Sequence, residues 1–548
     1  MGILRPTDGT SDPIVTRMVE EDKVPWYKKR NLRNLYLILF PACMGIEMTS
    51  GFDSQLINAL QFIPPFNRYF GNGYISPTTG NPGISPPLLG IINAAYNLGA
   101  ILGVPFAPTI NQKFGRRWSI MTGSLVMVLG ALLQGFAVHV AMYIIARMLL
   151  GWGIVLCIIS GSAMIGELSY AKERAINTSL FNASYFPGAI IAAAIALRTA
   201  DIGGNWAWRI PSLLQIFPSV IQIIFVLFLP ESPRYLISKD RDDEAFDILV
   251  KYHAEGDRDS LIVRAEMAQI KATITTELQA AKLSWADMFR TGGMRRRVFI
   301  TSFMGLFTQW SGNTLISYYL STILGMIGYN TTYAKTRINV ANQCWNLATG
   351  VPIALIVTRF PRRKAFLVCT ISMLLIFIGW TVSMHEVLQA KAEGGKNSRA
   401  SVAVLFFIFA YSPAYNIGNN ALTYTYLVEL FPFAERSRGI AIEQFFGRGA
   451  AFFSTYVNPI ALEAITWKYL IVYCVWIAFE VTFVFLFYPE TYGRTLEELA
   501  FLFEDKALTD NVVVAVEKQI HYGDAGPGAD QGADAKHVEH VVEHPKTA

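Results

Sequence analysis

Two ionisable side chains stand inside long apolar stretches of this chain. They are Asp53, in Gly51-Phe52-Asp53-Ser54, and Arg147, in Arg147-Met148-Leu149-Leu150-Gly151. A carboxylate alone in hydrocarbon takes up a proton, whereas one beside an arginine can exchange between ionised and neutral forms. Such a pair is the minimum equipment for coupling a movement to a proton; the plainer alternative is a static ion pair that fixes helix packing. Glu443 and Arg448 are a second charged set later in the chain.

Amides repeat at helical spacing in the same stretches. Asn339, Asn342, Gln343 and Asn346 recur every three or four residues, as do Asn416, Asn419, Asn420, Thr423 and Tyr424. Gln309 and Asn313 are one turn apart, as are Gln444 and Arg448, and Asn93, Tyr96 and Asn97 mark a further polar face. An amide in hydrocarbon is costly unless it meets a cavity or a neighbouring helix. A single amide is satisfied by one interhelical hydrogen bond; several polar faces together call for a wet cavity. Amides that donate and accept, set among aromatic rings without a dominant charge, suit a neutral polyol.

The elements that must position these groups are membrane spans. Of 548 residues, 52% are hydrophobic and 16% charged, against about a quarter charged in soluble domains. Apolar runs approach or reach the roughly 20 residues that cross a bilayer as helix. Twelve spans are expected, at 34–59, 87–109, 118–138, 141–164, 176–199, 210–229, 298–324, 337–358, 365–386, 402–430, 438–459 and 468–488. The mixed polar stretch before Leu35 is unlike a cleaved signal peptide. Two proline-flanked words, Pro230-Glu231-Ser232-Pro233-Arg234 and Pro489-Glu490-Thr491, each close an apolar half of comparable length. Gly115-Arg116-Arg117 and Arg362-Arg363-Lys364 each follow the second run of a half. This is the pattern of a duplicated six-helix unit.

The expected organisation is an N-terminal tail (1–33), a first half (34–230), a helical linker (231–297), a second half (298–490) and a C-terminal tail (491–548). Helical stretches are expected in the linker at Asp242–His253 and Leu261–Lys282. Basic residues cluster at one end if the spans alternate: Lys28, Lys29, Arg30 and Arg33, then Lys113, Arg116 and Arg117, then Arg359, Arg362 and Arg363. The positive-inside rule makes that end cytoplasmic, so both termini and the linker are expected there. The net charge of +5 then reflects topology, which argues against a nucleic-acid partner. Asn330-Thr331-Thr332 is an outward-facing glycosylation sequon. The five cysteines (Cys43, Cys157, Cys344, Cys369, Cys474) fall in apolar spans and read as small buried hydrophobes. The tail histidines His537, His540 and His544 read as a solvated segment, so no metal or other cofactor is expected. A phosphate-binding glycine loop with a lysine is absent from the sequence, which leaves an ATP-driven pump unsupported.

Taken in order, these words resemble the sugar porter family of the major facilitator superfamily over roughly residues 34–505. The matching motifs are Gly51-Phe52-Asp53, Gly115-Arg116-Arg117, Arg147 with Gly151 and Gly153, Glu167 with Arg174, the Pro230–Arg234 word, Tyr318-Tyr319, Glu429 with Arg436, and the Pro489 word. Gln309-Trp310-Ser311-Gly312-Asn313 and Tyr456-Val457-Asn458-Pro459 resemble the fungal lactose and cellodextrin permease branch. The resemblance implies an all-α membrane protein, not an enzyme, that moves a neutral sugar by alternating access. The sugar would be a hexose or a disaccharide such as lactose or cellobiose, and proton import would drive its uptake. The resemblance places Gln309, Asn313, Asn342, Tyr424, Asn182, Asn420 and Arg448 at the sugar and Asp53 with Arg147 at the proton. It makes Glu167, Arg174, Arg234, Glu429, Arg436 and Glu490 a cytoplasmic latch that holds the outward-open state. A monomer in the plasma membrane is expected; a sugar sensor, or an exporter of a sugar-like or secondary metabolite, would share the same motifs.

Departures from the family pattern bear on the pocket. Thr308 precedes Gln309 where a second glutamine is usual, Asn182 replaces a glutamine, and Tyr424 stands at a tryptophan position. Shorter side chains imply a roomier pocket, which favours a disaccharide. Gln112 and Pro361 replace an aspartate and a glycine usual at the ends of the second and eighth spans. The latch is then expected to rest mainly on Glu–Arg pairs.

Overall fold

Apolar runs that lack a charged stripe fold here as long helices. The structure, a computed structural model, describes residues 23–75, 83–280, 285–329, 331–357, 360–395, 397–431 and 436–492. Asn330 and the tail histidines lie outside these residues. Among the described residues, eight helices are long and apolar enough to cross a bilayer: Arg30–Leu60, Arg116–Gly135, Val140–Leu168, Trp206–Phe228, Thr332–Val357, Arg362–Ala392, Ser398–Leu427 and Lys468–Phe487. The second span is bent by 51° between Pro86–Gly103 and Phe106–Phe114. The fifth is broken at Ser184 between Arg174–Ala183 and Tyr185–Thr199, and the seventh between Gly292–Trp310 and Asn313–Met326. The eleventh, Arg436–Ile465, carries Glu443 and Arg448. Apolarity alone thus misses the spans that are interrupted or lined with charge. With them the architecture is two six-helix halves joined by a helical linker.

Several helices extend beyond their expected apolar runs, because backbone hydrogen bonding continues past the hydrocarbon boundary. The ninth, for instance, runs Arg362–Ala392 where 365–386 is apolar. The linker forms helices at Asp242–His253 and Leu261–Ala280, close to the stretches read from sequence. Of the cysteines, Cys43, Cys157 and Cys369 are buried, Cys474 is half-buried and Cys344 is exposed. Cys344 therefore departs from the buried reading: its helix is apolar in composition, but this position faces outward.

Several pairs of helices approach backbone to backbone. A Cβ on Gly51 would lie 2.0 Å from the Tyr185 carbonyl oxygen, and one on Gly151 would lie 1.9 Å from that of Tyr96. Only glycine fits at such contacts, which replace hydrophobic attraction as the glue between helices in lipid.

At the basic end the two halves repeat one device. The Glu231 carboxylate accepts from the backbone N–H of Arg116 (3.1 Å) and Arg117 (3.3 Å), and Glu490 accepts from those of Arg362 (2.9 Å) and Arg363 (3.2 Å). Each carboxylate answers the unpaired N–H groups of a helix start. Burial raises the Glu231 carboxyl above its ordinary value, opposed by these hydrogen bonds. Arg116 pairs with Glu167 at 3.0 Å, and Arg362 with Glu429 at 3.1 Å. Ser232 donates to Glu167 and Thr491 to Glu429.

The linker is fastened to the first half by carboxylates. Glu255 accepts from the N–H groups of Asn31 (3.0 Å) and Leu32 (3.1 Å) at the start of the first span. Glu266 lies 2.7 Å from His253 Nδ1 and 3.5 Å from Arg174, while His253 Nε2 lies 3.3 Å from the Leu168 carbonyl. Burial alone would raise the Glu266 carboxyl, but His253 and Arg174 hold it below its ordinary 4.5. A depressed carboxylate contributes its stability above the unfolded value and loses it as pH falls through the folded one. The brace should therefore stay docked at neutral and mildly acidic pH and release only below the ordinary carboxylate range. Glu266→Ala leaves a buried imidazole without its acceptor, a loss of about 3–5 kcal/mol when the ring is charged. Hydrogen exchange of the Asp242–His253 helix should accelerate in that variant at pH 7; unchanged exchange would show that Glu266 does not hold the linker.

Candidate binding site and buried ion pair

The seventh span breaks where its sequence demands it. Gly312 has φ +102°, in the region that favours glycine, and a Cβ there would lie 2.3 Å from Phe377 Cζ. Beyond the break Tyr319 departs from helical geometry (φ −126°, ψ 18°). The tenth span holds a π-turn over Asn416–Asn420, an irregularity that frequently marks functional sites.

Around them lie polar groups that are only partly buried. Gln309 and Asn313 on the seventh span are half-buried, Asn420 is exposed, and Tyr424 is 47% exposed. Gln444 of the eleventh span donates to the Tyr424 hydroxyl at 2.6 Å and to Glu443 at 3.0 Å. Asn420 donates to Asn416 at 2.7 Å, and Tyr415 to the Thr308 carbonyl at 2.7 Å. Arg448 is half-buried and interacts electrostatically with Glu443 and with Glu47 of the first span. Polar groups this deep in a hydrophobic helix bundle are tolerable only on the wall of a wet cavity. Glu47, from the opposite half, was not singled out from the sequence, although a carboxylate in the middle of an expected span is itself a signal.

Not every polar face belongs to that wall. Asn339 accepts from Gln55 (2.8 Å) and from Asn58 (3.4 Å), and Gln343 donates to Gln55 (2.9 Å). Gln61 donates to the Tyr318 carbonyl (2.8 Å), and Asn93 to the Tyr319 hydroxyl (2.8 Å). Tyr74 bonds Glu463. These contacts join the first half to the second at the end opposite the arginines, so the bundle is closed there. Asn342 is buried on the same helix as Asn339. The side chain of Asn182 lies outside the described residues.

The ion pair is formed. Arg147 Nη1 donates to Asp53 Oδ1 at 2.8 Å, with the side chains 0% and 4% exposed. The contact is a single bond: among the described residues, Asp53 Oδ2 and Arg147 Nε and Nη2 have no hydrogen-bond partner. The Arg147 guanidinium lies 5.1 Å from the Tyr96 ring centroid. A bidentate, fully satisfied pair would be a lock; a singly bonded one is easier to exchange for a proton. Tyr318, beyond the break of the seventh span, interacts electrostatically with both members. The helix that begins at Asn313 thus also reaches the ion pair.

Several of the expected latch residues lie at the basic end of the helices. Glu167 and Glu429 pair with Arg116 and Arg362 of their own halves, Glu490 caps a helix start, and Arg174 pairs with the linker. Arg234 lies in the short helix Pro233–Ile237, and the Arg436 side chain lies outside the described residues. The Glu167 and Glu429 pairs are therefore intact with the opposite end closed. They brace each half, because each carboxylate meets the arginine that begins the helix packed beside it.

The chain matches the family of sugar (and other) transporters over residues 38–503. It is 28% identical to a high-affinity glucose transporter of Kluyveromyces lactis, over 89% of this chain and 87% of that one. It is also 28% identical to an MFS-type transporter of Aspergillus oryzae, over 75% and 76%. The inward-open xylose transporter XylE of E. coli superposes with a TM-score of 0.69 at 20% identity, covering 86% of this chain and 100% of that one.

Proposed function

We propose that this chain, which belongs to the sugar transporter family of the major facilitator superfamily, carries a neutral sugar by alternating access coupled to proton import. The observation that carries the reading is the incompletely buried set of Gln309, Asn313, Asn420 and Tyr424 beneath a closed opposite end. With the basic end cytoplasmic, that closed end is external, and the cavity opens inward. Amides and a phenol bind sugar hydroxyls; the rings cover its apolar faces. The sugar is a hexose, as the name of the Kluyveromyces relative suggests, or a disaccharide, which the shorter side chains at Thr308 and Tyr424 accommodate. The carrier works as a monomer in the plasma membrane, with both termini in the cytoplasm.

Protonation of Asp53 frees Arg147 from its single bond, and Tyr318 passes the change to the seventh span. The two halves then rock about the site, driven by the different affinities of sugar and proton for the two states.

Uptake of labelled glucose, lactose and cellobiose into transporter-deficient cells, with and without a protonophore, tests the reading. Uptake of at least one sugar, abolished by the protonophore, is expected. A sensor would take up none, and an exporter would lower the internal level. In the same assay Gln309→Ala or Asn313→Ala should lose roughly two- to twelve-fold in affinity, the worth of one neutral hydrogen bond. Variants that reach the membrane and bind sugar normally would remove those residues from the site.

A further inference from the structure

One buried carboxyl has no place in that scheme. Glu480 of the twelfth span is wholly buried. Its Oε2 lies 2.8 Å from Ser311 Oγ, and its Oε1 3.3 Å from Asn419 Nδ2, which is also 3.2 Å from Ser311 Oγ. Ser311 immediately precedes Gly312 at the break of the seventh span, and Asn419 belongs to the π-turn of the tenth. A single side chain thus fastens both irregularities behind the cavity wall. The titratable groups facing it are Cys369 on the ninth span, Tyr411 and Tyr415 on the tenth, and Tyr488 after the twelfth. Glu443 of the eleventh span interacts with Tyr415 and Tyr488 from the other side. Glu480 makes no ion pair among the described residues.

The hydrogens can be counted. A serine hydroxyl has one proton to donate and two lone pairs. Ser311 Oγ accepts from Asn419, and it approaches both Glu480 Oε2 and the Phe307 carbonyl, one turn earlier on its own helix. If Glu480 is a carboxylate, Ser311 must choose between that oxygen and the carbonyl. If Oε2 carries a proton, Glu480 donates to Ser311, Ser311 donates to Phe307, and every contact is satisfied. A neutral acid also avoids a charge buried without a cation.

We propose that Glu480 holds a proton and serves as the positioning residue of the seventh-span hinge, setting the angle at which Gln309 and Asn313 face the cavity. The role rests on the transport reading for its purpose and on the hydrogen-bond pattern for its existence, so the two are tested apart. Glu480→Gln preserves the pattern: its amide donates to Ser311 and its carbonyl accepts from Asn419. Glu480→Leu removes both bonds at similar volume. Hydrogen exchange at 307–319 in purified protein should match wild type in Glu480→Gln and run about tenfold faster in Glu480→Leu. Sugar uptake should follow the same order. Should Glu480→Leu not reach the membrane, Ser311→Ala is read in its place, with the same acceleration expected. Glu480→Gln exchanging as fast as Glu480→Leu would overturn the neutral-acid assignment. Wild-type exchange in Glu480→Leu, or in Ser311→Ala, would overturn the positioning role. Normal hinge behaviour in a protein that moves no sugar would count against the transport reading alone.

Discussion

Asp53→Asn should still exchange sugar across the membrane yet fail to concentrate it. The amide imitates the protonated carboxyl permanently, so the variant lacks the transition in which the single 2.8 Å bond to Arg147 is made or broken. With one proton per sugar, each unit of pH difference supports up to about tenfold accumulation; in the variant the internal-to-external ratio should fall to about one at any imposed pH. Counterflow of labelled sugar, which needs only the sugar-loaded states, should persist. Asp53→Ala is a harsher change, because it leaves Arg147 buried without a partner at a cost of about 3–5 kcal/mol. It should lower the yield of folded protein as well as coupling. Undiminished accumulation in Asp53→Asn would move the coupling site to another carboxylate, Glu443 or Glu47, both of which interact with Arg448.

Gly151→Leu is expected to lose most folded protein. The second and fourth spans touch at backbone distance there, and even a methyl group would lie 1.9 Å from the Tyr96 carbonyl oxygen. That atom is backbone and cannot swing aside, so the helices must separate. Overpacking of a core costs about 1–3 kcal/mol and more where backbone must move. Separation would also draw Tyr96 away from Arg147, which the ring now faces at 5.1 Å. Gly203→Leu, at a site with nothing within 4 Å of an added Cβ, is the control. Thermal unfolding in detergent should show a large drop for Gly151→Leu, a smaller one for Gly151→Ala and none for the control. Unfolding of Gly151→Leu at the wild-type temperature would mean that the close approach is not a determinant of the fold.

Much of this fold was legible because lipid imposes few solutions. Long uncharged apolar runs can only be helices, and Pro230–Arg234 with Pro489–Thr491 marked the duplication that Glu231 and Glu490 now express as paired helix caps. The polar faces were legible in the sequence, and their contacts less so. Helical spacing grouped Asn339 and Gln343 with Asn346, but spacing cannot say what a face meets; the first two bond Gln55 across the closed end. The partners of the expected latch residues were hidden for a related reason. Motif order put Glu167 and Glu429 at the basic end, and only packing shows that each is reached by Arg116 or Arg362 of its own half. Glu47 and Glu480 were passed over although a carboxylate within an apolar run is the signal most worth heeding. The break at Ser311-Gly312 gives Glu480 its meaning, and a positive φ is not written in sequence unless the glycine is read as a hinge.

The account stands on coupling between proton and sugar, and that is measurable in isolation. Purified protein in sealed liposomes, loaded at neutral pH and diluted into acidic medium with labelled sugar, should accumulate it above the external concentration. Adding a protonophore should collapse the ratio to one, while Asp53→Asn should equilibrate without overshoot. Wild-type protein that equilibrates sugar with no overshoot, and at the same rate whether or not a pH gradient is imposed, would contradict the account.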